Sequence, residues 1–247
     1  MTPAESQPLT IPRVLALLTD GDLKVRGQLP WSSNATFLAT VSDGQHQANA
    51  VYKPERGETP LWDFAPGTLC LREMAAFVVC QALGWQVVPP TVLRDGPYGR
   101  GVVQAFIPHD PEQHYLALED PDPATARRIA AFDVIANNAD RKAGHVLLAD
   151  DGALWAIDHG LCFSAEPKLR TVIWDFAGEP LPAELRSDLI ALANELSDPD
   201  SELRATLTPL LTGDEVDALL DRVRDLLASG SFPAADPHRR SIPWPPV

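Results

Sequence analysis

Residues 132 to 163, FDVIANNADRKAGHVLLADDGALWAIDHGLCF, constrain this chain more than any other stretch. Before Asn137 the apolar residues Ile129, Phe132 and Ala136, with Ala130 and Val134 beside them, recur near a helical period, and two asparagines then end the run. Val146-Leu147-Leu148 and Leu154-Trp155-Ala156-Ile157 flank Asp150-Asp151-Gly152, which predicts two short strands joined by a tight turn. The loop between helix and first strand then carries Asp140, Arg141 and His145, and Asp158-His159-Gly160 stands where the second strand runs out. Loops from adjacent strand ends can converge on one metal ion.

The remainder reads as two lobes. Residues 9 to 18 predict a short helix with Pro12 in its first turn. Between Lys24 and Pro54 a strand, a polar turn, a second strand, the Asp43-Gly44 turn and a third strand follow, and Lys53 closes the third. Lys53 is either a snorkelling surface lysine or a phosphate-gripping one. Residues 55 to 69 form a long loop, and residues 71 to 85 a helix stopped by Gly84 and apolar on most of its circumference. Glu73 on that helix is expected to be partly buried and to want a cation, with Lys53 the natural candidate; the alternative is a Glu73 facing solvent beside Arg72. Strands are expected at Val87–Pro90 and over 102 to 108.

The predicted divisions are an N-lobe over 1–108, a linker over 109–122, a helical C-lobe over 123–230 opened by Asp122-Pro123, and a Pro-rich tail over 231–247. Thr212 and Glu215 resemble a capping box for the last helix, which ends at Gly230. The fold class is α+β, with a β-rich N-lobe and a helical C-lobe whose β-hairpin carries the metal loop.

Charge and composition exclude several classes. A formal charge of −14 argues against a nucleic-acid partner and opposes adhesion to anionic membranes, so peripheral membrane contact is not expected. No apolar run reaches the roughly 18 to 20 residues that span a bilayer. The N-terminus lacks a basic start and an apolar signal core, and a cytoplasmic location is expected. Cys70, Cys80 and Cys162 are scattered, two of them in apolar patterns, and are expected to be reduced core thiols.

A sheet bearing a lysine, a helix bearing a glutamate, and a helical lobe carrying Asp140, His145 and Asp158 form the inventory that phosphoryl transfer requires. AVYKP (50 to 54), FDVIANNADR (132 to 141) and AIDHGLCF (156 to 163) resemble the apolar-Lys-Pro strand, the catalytic loop and the metal loop of the phosphatidylinositol 3- and 4-kinase-like family. Type II phosphatidylinositol 4-kinases are the nearest well-known relatives in that resemblance, and an uncharacterised actinobacterial kinase-like branch is similar over the whole chain. The resemblance implies a two-lobed protein-kinase-like fold that binds ATP with a divalent metal, Mg²⁺ or Mn²⁺. It makes Lys53 the phosphate-binding lysine, Glu73 its partner, Asp140 the hydroxyl-orienting aspartate with Arg141 beside it as a further catalytic residue, and Asp158 the chief metal ligand. Ser32, Ser33 and Asn34 take the place of the phosphate-covering loop, which is poor in glycine. Gln104, Ala105, Phe106 and Ile107 take that of the adenine hinge, with Val51 and Ile157 as walls.

His145 stands where these kinases carry a metal-binding asparagine, and is read either as a ligand that favours Mn²⁺ or as a structural residue bonded to Asp140 or Asp158. His159 is read as a structural donor or substrate contact, and Asp133 as a buried carboxylate bonded to the catalytic-loop backbone. The acceptor is unknown, and a soluble polyol or protein hydroxyl is expected in place of a membrane lipid. The alternative to an enzyme is a nucleotide-binding pseudokinase that regulates a protein partner.

Overall fold

The computed structural model describes residues 9–30 and 34–247, which divide into two compact units. The first comprises the described residues through Thr59 together with Pro90–Phe106. Its helix α1 (Ile11–Asp20) precedes a five-stranded antiparallel sheet of β1 (Asp22–Gln28), β2 (Phe37–Ser42), β3 (Gln47–Pro54), β4 (Thr91–Gly96) and β5 (Gly99–Ala105), in the order β1-β2-β3-β5-β4. Leu17 and Leu18 of α1 are buried against Ala39, Val41, Ala50, Tyr52 and Val103. Alternation along β3 puts Ala50, Tyr52 and Pro54 on that core face, and therefore Val51 and Lys53 on the other.

Register fixes the neighbours of Lys53: it stands opposite Val102, and Val51 stands opposite Gln104. The next rung, Pro54 opposite Gly101, explains that glycine: a Cβ there would lie 2.3 Å from the Lys53 carbonyl oxygen, so only glycine lets β5 approach β3 this closely.

The second unit comprises Pro60–Pro89 and Ile107–Val247. It contains α2 (Leu69–Ala82), a three-stranded sheet of β6 (His109–His114), β7 (Val146–Ala149) and β8 (Leu154–Ala156), and helices α3 (Pro123–Ala136), α4 (Ala183–Ser197), α5 (Glu202–Leu207) and α6 (Gly213–Ser229). Asp122 caps α3 by accepting from the Ala124 and Thr125 amides, and Asn137 ends it in the left-handed region at φ 51°. Thr212 and Glu215 form the expected capping box on α6, and Gly230 closes that helix at φ 67°.

Three expectations are corrected. Contacts group α2 with the second unit, because buried Arg72 donates to the Cys162 carbonyl and pairs with Glu215 of α6. The span 109–122 is not a bare linker: β6 runs beside β7, although only His109 and His114 make rungs and the residues between them are exposed. Val87–Pro90 is not a strand, since Pro89 and Pro90 have no N–H to give a ladder and pairing begins at Thr91. Among the described residues no helix is long and apolar enough to cross a membrane, and all three cysteines are free and buried.

Candidate functional site

The centre of the second unit is a buried carboxylate. Asp133, on the last turn of α3, has no exposed surface and accepts from the Asn138 side-chain amide (2.9 Å), from Arg141 Nε (3.0 Å) and from Thr171 Oγ1 (3.0 Å). These partners are side chains, where the sequence pointed to loop backbone. Arg141 is also fully buried, and its remaining N–H groups reach the carbonyls of His145 (3.2 Å) and Ile157 (2.6 Å) and the His159 ring (2.8 Å). One guanidinium thus ties α3, the loop before β7 and the loop after β8 into a single body. The catalytic assignment of Arg141 is therefore corrected to positioning: no donor faces outward to meet a substrate. His159 is likewise buried, edge-on to Phe132, and serves structure.

That frame presents three side chains. His145 Nε2 lies 3.2 Å from Asp158 Oδ2, and Asp158 is about half exposed. Asp140 is bordered by Lys142, whose Nζ is 3.5 Å from Oδ2. Burial raises the Asp140 pKa above the usual carboxylate value, Lys142 acts against that shift, and the Asp158 charge adds to it. Among the described residues, the non-glycine positions with positive φ are Asn137, Asp158 and Phe163 at 51°, 59° and 67°. All three belong to the two site loops, where backbone strain of this kind concentrates at functional positions. Backbone bonds brace the loops against each other: the Ala139 amide donates to the Leu161 carbonyl, Ile157 to His145, and Phe163 to Ala136.

The residues fit a divalent ion held jointly with phosphate oxygens. Two ligands at right angles, each about 2.1 Å from an ion, stand about 3.0 Å apart, close to the His145–Asp158 separation. Among the described residues no group of three or more His, Cys, Asp or Glu side chains could hold an ion without such help. His145 would have to change tautomer. Its Nδ1 accepts from the Lys142 amide (3.4 Å), which leaves the proton on Nε2, directed at Asp158. That first bond is long and weak, so the rearrangement is cheap.

The other expected residues are placed as follows. Glu73 is 4 % exposed on α2, and a Cβ at Gly160 of the metal loop would come 3.9 Å from its carboxylate. The solvent-facing reading of Glu73 is thereby excluded. Lys53 is half-buried on β3 of the first unit, and its expected pairing with Glu73 is carried into the proposed function. Gln104 is buried with its amide on Thr91 Oγ1 (2.9 Å), which makes its side chain structural in place of cofactor-binding. The amides of Ala105 and Phe106 donate to Pro90 and Asn49, and the first unit ends at Phe106, with Ile107 opening the second. Val51 and Ile157 are half-buried. The Asn34 side-chain oxygen accepts from the Thr59 amide, a use internal to the first unit, whereas Ser32 and Ser33 lie outside the described residues.

Sequence reasoning missed Thr171, Lys168 and Arg170. Lys168 pairs with Asp63 (2.8 Å) beneath the rings of Trp62 and Phe64, and the Arg170 backbone bonds both Asn138 and Arg141. Basic residues after the metal loop were the available signal.

An antiparallel sheet unit, followed by a helical unit whose hairpin displays paired acidic loops, defines a protein of kinase-like α+β fold. Solved structures agree: the Golgi casein kinase with Mn/ADP bound aligns with TM-score 0.53 and 16 % identity, covering 88 % of this chain and 74 % of that one. Hydra Fam20 with sugar aligns with TM-score 0.51 and 17 % identity, covering 89 % and 88 %. The chain belongs to the family of the Mycobacterium tuberculosis protein Rv2133c, to which it is 38 % identical over 265 aligned positions that cover 93 % of this chain and 94 % of that protein. It is also 30 % identical to phosphatidylinositol 4-kinase gamma 4 of Oryza sativa subsp. japonica over 140 positions, 48 % of this chain but 25 % of that protein. No family model matches the chain.

Proposed function

We propose that this protein transfers the γ-phosphoryl group of ATP to a hydroxyl acceptor, in the manner of the phosphatidylinositol 3-/4-kinase-like enzymes that its motifs resemble. The observation that carries the reading is the arrangement of Asp140 and the His145–Asp158 pair on two loops braced by one buried Asp133–Arg141 pair. Asp140, partly desolvated and raised in pKa, suits the residue that orients and accepts from the attacking hydroxyl. Asp158 would hold a divalent ion, Mg²⁺ or Mn²⁺, with His145 as second ligand; that ion would neutralise phosphate charge. Lys53 is assigned the nucleotide phosphates and Glu73 the orientation of that lysine, with Val51, Ile157 and the 104–107 backbone assigned to adenine.

A soluble polyol or protein hydroxyl is the proposed acceptor, because nothing in a chain of charge −14 favours an anionic bilayer. The pairing of His145 with Asp158 gives a second reading some footing, in which the site binds nucleotide without turnover and signals to a protein partner. The test is an acceptor screen with γ-labelled ATP and each metal. Label transfer that disappears in Asp140→Ala supports the enzyme. Tight ATP binding with no transfer to any acceptor class supports the second reading.

A further inference from the structure

The Pro-rich tail, to which the sequence assigned no role, makes contacts that its composition explains. Proline carries a carbonyl but no N–H, so a segment such as Ser241-Ile242-Pro243-Trp244-Pro245-Pro246 offers acceptors with few competing donors. The site loops have the opposite need. Ala143, between Asp140 and His145, is fully buried, and its amide donates to the Pro246 carbonyl at 2.8 Å. Thr171, 2 % exposed, donates its amide to the Ser241 carbonyl at 3.0 Å, and Trp174 Nε1 reaches the same oxygen at 3.2 Å. Pro243 is buried between these attachments, while Ile242 and Trp244 are 50 % and 77 % exposed. Over residues 236–247, backbone carbonyls and one buried proline, not large buried side chains, therefore hold the tail.

Each attachment leads directly to the site. Ala143 opens the short 3-10 turn Ala143–His145, whose last residue faces Asp158. Thr171 forms a parallel bridge with Arg141 and gives its hydroxyl to Asp133. From this two-point attachment we infer that residues 236–247 are a positioning clamp of the candidate site, setting both the His145 turn and the Asp133–Arg141 frame. Its effect on transfer rests on the function proposed above; its effect on loop geometry does not. Removing the tail leaves two buried amides without acceptors, and the loops move to find replacements. A displacement of about 1 Å at the reacting groups is enough to lower transfer about 100-fold.

The test compares the full chain, a chain ending at Ala235, and full-length Pro243→Asp, with the free peptide DPHRRSIPWPPV added in trans. Circular dichroism checks that each variant is folded. Hydrogen exchange at the Ala143 and Thr171 amides and the His145 ring NMR signals report loop geometry without reference to activity. Truncation should speed exchange at both amides by about tenfold, as the loss of one net hydrogen bond allows, and saturating peptide should restore protection. Phosphoryl transfer, if present, should fall mainly in kcat, with KM for ATP within about threefold, and recover with peptide. If the full chain transfers no phosphate while both amides still respond, the proposed function fails and the clamp stands. Unchanged exchange and unchanged His145 signals on truncation, or in Pro243→Asp should the shorter chain not fold, overturn the clamp.

Discussion

Arg141→Met removes the guanidinium that joins Asp133 to both site loops while keeping most of the side-chain volume. Asp133 would keep Asn138 and Thr171 as donors but lose its counter-ion in a place with no solvent access, and the carbonyls of His145 and Ile157 would each lose a donor. Breaking one side of a buried ion pair costs about 3–5 kcal/mol. For a domain of 150–250 residues that converts to a fall in Tm of roughly 6–20 °C. Because two units need not unfold together, the transition should be followed in urea with Trp155 and Trp174 as probes beside the site. Asp133→Leu/Arg141→Met should regain much of the loss, since the unpaired charge disappears with its partner. A loss below about 1 kcal/mol in Arg141→Met, the range of an exposed pair, would refute the placement of this pair at the centre of the site.

Burial raises the Asp140 pKa, so the folded state holds more protons than the unfolded state from the usual carboxylate range up to the raised value, and stability falls as pH rises through that window. Asp140→Asn, which cannot ionise, should therefore unfold at a higher temperature than the wild type at pH 7, with the gap closing towards pH 4; an equal or lower Tm at pH 7 would contradict the burial. Gly101→Ala should destabilise the first unit by about 1–3 kcal/mol, because the added methyl meets the Lys53 carbonyl, and a denaturation midpoint equal to wild type would refute that contact. Lys53→Met and Glu73→Gln should weaken ATP binding to similar degrees, read by calorimetry, and unchanged affinity in Lys53→Met would remove the first unit's assigned role. His145→Asn should narrow any preference for Mn²⁺ over Mg²⁺ in nucleotide binding, and an unchanged preference would leave His145 purely as the donor to Asp158.

Much of the fold was legible because its signals are local. The strand closed by Lys53, the Asp43-Gly44 and Asp150-Asp151-Gly152 turns, the Asp122 and Thr212 caps and the stops at Asn137 and Gly230 each act within a few residues. β6 was not legible, since it has two rungs and an exposed middle without alternation. Nor was the grouping of α2, which depends on Arg72 meeting Glu215, 143 residues away. The site divides in the same way: Asp140, His145 and Asp158 sit at predictable loop positions, whereas the frame that holds them needs Thr171, 38 residues from Asp133, and carbonyls from a tail with no periodic pattern. Arg141 looked catalytic because it neighbours Asp140 in sequence; its burial is a tertiary fact.

The central claim is that Asp140 acts on the acceptor and Asp158 on the metal-bound nucleotide. Metal-dependent ATP affinity and γ-phosphoryl transfer measured side by side in Asp140→Asn and Asp158→Asn test it most directly. Asp140→Asn should abolish transfer while holding ATP affinity within about threefold, and Asp158→Asn should lose metal-dependent affinity by about tenfold or more. Equal loss of nucleotide affinity in both variants, or transfer that survives Asp140→Asn, would contradict it.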